Sequence, residues 1–178
     1  MRAASAMTRL GAIHDRITAA GFAGGALSVA LITAAFWYEV VARYFFNAPT
    51  SWAYDVASFL LCPTIFLSIP EMTRRNAHVV ISYLLDNASP QFRLPLFKVL
   101  MLVGGVVCLI CTWITGAETW RQYVRGVETI TVNPIPKWII SIFIPYGLLN
   151  SGLYFLRQMV GPAPVSYTHL TLPTILRV

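Results

Sequence analysis

Residues 39–55, EVVARYFFNAPTSWAYD, join two apolar runs, residues 17–38 before them and residues 56–70 after them, and neither run holds an Asp, Glu, Lys or Arg. An uncharged run of about 20 residues is what an α-helix needs to cross a bilayer core about 30 Å thick. The joining stretch therefore reads as a corner at a membrane surface. Glu39 and Arg43 stand four apart with the acid first, the favourable order on one helix face. Asn47 and Pro49 stop the helix, because proline lacks the next amide donor and restrains the residue before it. Ser51 is placed to cap a second helix whose first turn holds Asp55, where the helix dipole favours an anion. Tyr44, Phe45, Phe46, Trp52 and Tyr54 fit headgroup depth, where amphipathic rings are enriched. A corner this short predicts that Glu39, Arg43 and Asp55 share contacts, since an unpaired charge leaning into low dielectric is costly.

The composition of the whole chain agrees. Its 178 residues are 57% hydrophobic and only 11% charged, against about a quarter charged in soluble domains. Lipid is the solvent that fits such a surface, and the chain reads as an integral membrane protein. The net charge of +6 is scattered between apolar runs. It forms no cluster that would track phosphates, which argues against nucleic acid as a partner. Cys62, Cys108 and Cys111 all fall inside apolar runs, where cysteine behaves as a small hydrophobe.

Working outward, residues 1–16 read as a cytoplasmic N-terminal segment with Arg2, Arg9 and Arg16. The following run is too long for a signal-peptide core and lacks a small-residue cleavage site. The transmembrane domain covers residues 17–160, with spans at about 17–43, 51–72, 90–125 and 138–157. Pro63 and Pro70 interrupt the second span, as membrane helices tolerate where neighbours satisfy the freed carbonyls. Residues 77–88, which include His78, are apolar but too short to span, and suit an amphipathic helix lying in the interface. Ser89 and Pro90 make a helix start, serine as N-cap and proline at the first helical position. The third span outruns the bilayer and must tilt or project. The fourth contains Pro145 and Gly147. Residues 165–178 lack helical period and include SYTHLTLPT, which resembles translated sequencing-adapter read-through. They are read as a non-native tail. Arginine placement favours both termini in the cytoplasm, with the 39–55 corner outside.

Several chemistries have no residues to carry them. There is no phosphate-binding loop, no Asp, Glu or His set with metal-ligand spacing, and no nucleophile–base–acid arrangement. The three histidines fall outside the expected spans, so no haem pair is expected, and neither a cofactor nor an enzymatic role is assigned. The centres of the spans lack ionisable residues, which substrate and ion pathways normally expose. The pattern suits an accessory or scaffold subunit.

The run Arg43-Tyr44-Phe45-Phe46-Asn47-Ala48-Pro49, with Trp52 and an acid at 55, resembles the small membrane subunit of tripartite ATP-independent periplasmic (TRAP) transporters. Arg74-Arg75, His78-Val79, Pro136-Lys137-Trp138 and Ile144-Pro145-Tyr146-Gly147 continue the likeness in order. The family usually has glutamate where Asp55 stands, and an aspartate a few residues after the histidine, where this chain has Ser82. The resemblance implies an all-α subunit of the bacterial inner membrane, with four transmembrane helices and an interfacial helix. It implies a large multi-span partner that holds substrate and sodium sites, in membrane lipid. A periplasmic solute-binding protein would deliver an organic acid such as a C4-dicarboxylate, driven by an ion gradient and not by ATP. Glu39, Arg43, Asn47, Pro49, Trp52, Asp55, His78, Pro145 and Gly147 are the candidate structural or interface residues. Two other classes compete. A membrane anchor of a redox enzyme should carry intramembrane histidines, and a small homo-oligomeric exporter should carry an embedded acid.

Overall fold

A computed structural model describes residues 2–75 and 89–160. The expected interfacial segment 77–88, His78 within it and the tail 165–178 lie outside the described residues. Among the described residues five helices follow in order: α1 (Arg2–Phe46), α2 (Ala53–Arg74), α3 (Pro90–Arg125), α4 (Lys137–Ser141) and α5 (Phe143–Val160). Among the described residues, four stretches are long and apolar enough to cross a membrane: Gly11–Phe46, Ala53–Arg74, Gln91–Arg125 and Lys137–Val160. The fold is all-α, as the apolar runs predict.

Local chemistry sets the helix ends. α1 stops at Asn47, which adopts φ 48°, a left-handed conformation that asparagine tolerates better than most residues. α3 begins after Ser89 with Pro90 at its first position, although the serine side chain makes no capping bond. It closes at Gly126, φ 60°. There the amides of Gly126 and Val127 donate to the carbonyls of Tyr123 and Gln122 at 3.2 and 3.1 Å, the paired closure that glycine permits at a helix end. Two boundaries differ from the sequence reading. α1 starts at Arg2, so the described part of the N-terminal segment continues the first span as one helix. Trp52, not Ser51, precedes α2, and no side chain caps it. Asp55 does occupy the first turn.

The helices pack as a row. α1 lies against α2, α2 against α5, and α5 against α3, with no comparable packing between α1 and α3 among the described residues. Without water between helices, association in lipid relies on close packing by small residues. The α1–α2 seam follows that rule. A Cβ placed on Gly25 would stand 2.9 Å from the Ser68 hydroxyl oxygen and 3.3 Å from the Thr64 carbonyl oxygen. The α3–α5 seam holds the apolar core of Phe97, Met101 and Phe155, with Cys108 and Met159 against it.

The α2–α5 seam depends on proline and glycine together. Pro70 has no amide to offer the Phe66 carbonyl one turn back. A Cβ at Gly147 of α5 would lie 2.3 Å from that same carbonyl oxygen, so only glycine lets the two backbones meet. Pro145 likewise deprives the Ser141 carbonyl of its helical donor, and the Thr119 hydroxyl of α3 donates to it at 3.4 Å. The Pro145 site is the satisfied kind of proline that membrane helices allow.

Candidate functional site

The polar chemistry of the chain is gathered at the two ends of the helix row. At the corner end, Arg43 donates to Glu39 Oε1 through Nε at 3.1 Å and through a terminal nitrogen at 2.5 Å. The backbone amide of Thr50 donates to Glu39 Oε2 at 2.9 Å, and the Thr50 hydroxyl donates to the same oxygen. Glu39 thus fastens the turn of Asn47 and Pro49 back onto α1. Trp52 and Tyr38 pack beside it with ring centroids 5.6 Å apart.

Asp55 does not join that group, contrary to the sequence expectation of one shared network. It is 5% exposed, and it accepts from the backbone amide of Asn133 at 3.1 Å and from the Asn133 side-chain amide at 3.4 Å. The corner end therefore has two separate clamps. One ties α1 to its own turn, and the other ties the start of α2 to the α3–α4 loop. Nearby, Ser141 donates to Gln122 Oε1 at 2.8 Å. Trp138 meets Tyr123 edge-on at 5.4 Å, and Tyr123 meets Trp120 at 5.6 Å.

The opposite, terminal end carries a cluster that the sequence reading missed. His14 stacks on Tyr154, ring centroids 4.2 Å apart, and its Nε2 lies 3.1 Å from Asn150 Oδ1. The Tyr154 hydroxyl donates to Asp15 Oδ1 at 2.9 Å and lies 3.1 Å from the Thr18 hydroxyl. Arg157 donates to the same Asp15 oxygen at 2.8 Å. Three side chains of α1 thus grip three of α5. Their spacing is a readable signal, because Asn150, Tyr154 and Arg157 recur at i, i+4 and i+7 on one helix face. His14, read from the sequence as lying before the first span, stands in the first turn of the long apolar stretch Gly11–Phe46. It faces an amide and a phenol.

Next to this grip, Glu71 is 2% exposed at the end of α2. Arg74 donates to both of its oxygens, through Nε at 2.7 Å and through a terminal nitrogen at 2.6 Å, and Arg75 adds a bond at 2.7 Å. Gln158 of α5 donates to the Thr73 carbonyl at 2.8 Å. Carboxylates this buried are tolerated when charged donors saturate them.

Of the other sequence candidates, Gly147 and Pro145 act in the seams already described. No group of three or more His, Cys, Asp or Glu is placed to hold a metal ion among the described residues, and the three cysteines are free thiols. A groove of about 390 Å³ on α3 is lined by Leu109, Thr112, Trp113, Gly116, Ala117 and Trp120. It carries no charged side chain with which to hold an organic acid. The arrangement can fix helices and loops relative to one another.

A family model described as tripartite ATP-independent periplasmic transporters, DctQ component, matches residues 32–164. No curated protein matches the chain.

Proposed function

Because the chain belongs to the DctQ family of TRAP transporters, the small inner-membrane component of these systems, we propose that it is the static scaffold of a secondary importer of organic acids. The family implies a large membrane subunit and a periplasmic binding protein as partners. In this reading the large subunit holds the substrate and sodium sites. A C4-dicarboxylate or similar carboxylate is the solute, and an ion gradient drives its import.

The observation that carries the proposal is where the charges are. Glu39, Glu71 and Asp15 are each occupied by arginine at one end of the row, and the span centres offer nothing ionisable to a solute. A carrier normally exposes such groups along its pathway. The open row also leaves long apolar faces on α1 and α3, including Trp37, Val103, Val107 and Trp113, which suit lipid and a multi-span partner.

In this reading the terminal end lies in the cytoplasm. Arg2, Arg9, Arg16, Arg74, Arg75, Arg93, Lys98 and Arg157 belong to that end, against Arg43, Arg121, Arg125 and Lys137 at the corner end. Basic residues favour the cytoplasmic side.

Liposomes separate the readings. Vesicles containing only this chain should take up no labelled carboxylate under a sodium gradient, and vesicles with the large subunit and binding protein added should do so. Uptake by the chain alone would overturn the scaffold proposal.

A further inference from the structure

Residues 126–136, between α3 and α4, form a narrow tongue. The Thr129 amide donates to the Ile135 carbonyl at 3.0 Å, and the Lys137 amide donates to the Val127 carbonyl at 2.9 Å. Thr129 Oγ1 accepts from the Ile135 amide at 3.0 Å and lies 3.1 Å from Thr131 Oγ1. The Thr131 hydroxyl donates to the Asn133 carbonyl at 3.0 Å, and Asp55 holds Asn133 from the side. The threonines are turned inward by these bonds. The alternate residues point out: Ile130 is fully exposed at 104% and Val132 is 70% exposed.

Two apolar side chains held outward on a hydrogen-bonded frame are pre-organised for contact, which lowers the ordering cost of binding. Helix length sets them beyond the hydrocarbon core. The uncharged part of α3, residues 99–117, spans about 28 Å and fills the hydrocarbon core. Residues 118–125 add about 12 Å more helix before the tongue begins. The rings of Trp120, Tyr123 and Trp138, a belt of the kind found at headgroup depth, lie between the span and the tongue. The only charge in residues 126–136 is Glu128, which gives anionic headgroups nothing to attract. The area also speaks. Permanent partners bury broad apolar surfaces, and the lateral faces of α1 and α3 offer those. A two-residue tip suits a partner that arrives and leaves.

We infer that Ile130 and Val132 form a docking tip for the soluble solute-binding protein, seating in a shallow apolar dimple on its surface. The inference rests on the scaffold reading with the corner end outside. It is tested on the assembled complex in nanodiscs, with Ile130→Asp/Val132→Asp and the milder Ile130→Ala/Val132→Ala. Both variants should copurify with the large subunit as the unaltered chain does. The binding protein should associate at least tenfold more weakly with the Asp pair, and less tightly than normal with the Ala pair. Unchanged affinity in both variants overturns the docking tip while leaving the scaffold reading intact. Loss of the large subunit from the Ala pair also overturns it, making the tongue a permanent contact. So does a nitroxide at position 130 that reports acyl-chain depth. Failure of the unaltered chain to copurify with a large subunit removes the scaffold reading itself, and the inference with it.

Discussion

The carbonyl oxygen of Phe66 stands 2.3 Å from where a Cβ on Gly147 would be. It is the tightest approach that any described glycine makes to another helix. It exists because Pro70 leaves that carbonyl without its helical donor, and a Cα–H at close range is a weak but real substitute. The middle of the helix row hangs on this pair, since α2 and α5 are its two inner members.

Gly147→Ala should therefore force α2 and α5 apart, at a cost near the upper end of the about 1–3 kcal/mol typical of overpacking. Gly116→Ala is the control, because the nearest atom to its Cβ is 3.9 Å away. Melting in one detergent should fall clearly for the first and stay level for the second. Equal melting temperatures would show that the seam relaxes freely.

The two corner clamps are separate, so Arg43→Ala and Asp55→Ala should add. Coupling between them should stay within about 0.3–0.5 kcal/mol, as for independent sites. Asp55→Ala should cost more than Asn133→Ala, because the backbone amide of Asn133 remains to be satisfied by the carboxylate in the latter. A double-mutant cycle on the pair at 43 and 55 with a large interaction energy would return them to one network.

Glu71 gives an ordering of effects. Arg74 binds it with two bonds and is 36% exposed at its side chain, while Arg75 binds with one and is 65% exposed. Arg74→Ala should therefore lower stability more than Arg75→Ala, by roughly 1 kcal/mol, the scale of one charge-assisted hydrogen bond. Thermal unfolding of the two variants side by side decides it, and the reverse order would refute the assignment.

At the terminal end, Tyr154→Phe removes the phenol that Asp15 accepts from and Thr18 approaches, but keeps the ring against His14. The expected loss is about 1 kcal/mol. Combined with Arg157→Ala the loss should depart from the sum, because both groups serve the same Asp15 oxygen. Simple additivity in detergent melts would mean that the three helical positions act alone.

How much of this could be read beforehand follows from how local each cause is. The spans were legible because an uncharged run of fixed length is a property of consecutive residues. The Glu39–Arg43 pair was legible for the same reason, being four apart on one helix. Asp55 was not, since its partner Asn133 is 78 positions away and nothing local points to a distant backbone amide. His14 and Asp15 read from the sequence as part of the N-terminal segment, because Arg9 and Arg16 flank them. Their role appears only when α5 lies alongside with Asn150, Tyr154 and Arg157 in phase. Gly147 is visible in the sequence only as a glycine within an apolar span, and what requires it, the freed carbonyl of Phe66, belongs to another helix.

A helix row held this way encloses little interior. Among the described residues, the apolar core cluster of this row comprises Phe97, Met101 and Phe155, and most of its large apolar side chains look outward. Its cohesion is therefore partly lent by whatever wets those faces. A melting temperature measured for the isolated chain will report on the detergent as much as on the sequence, and should shift with detergent tail length more than that of a closed bundle of equal size. The same dependence means that a substitution on the outer face of α1 or α3 is judged by the neighbour it meets rather than by the fold it belongs to.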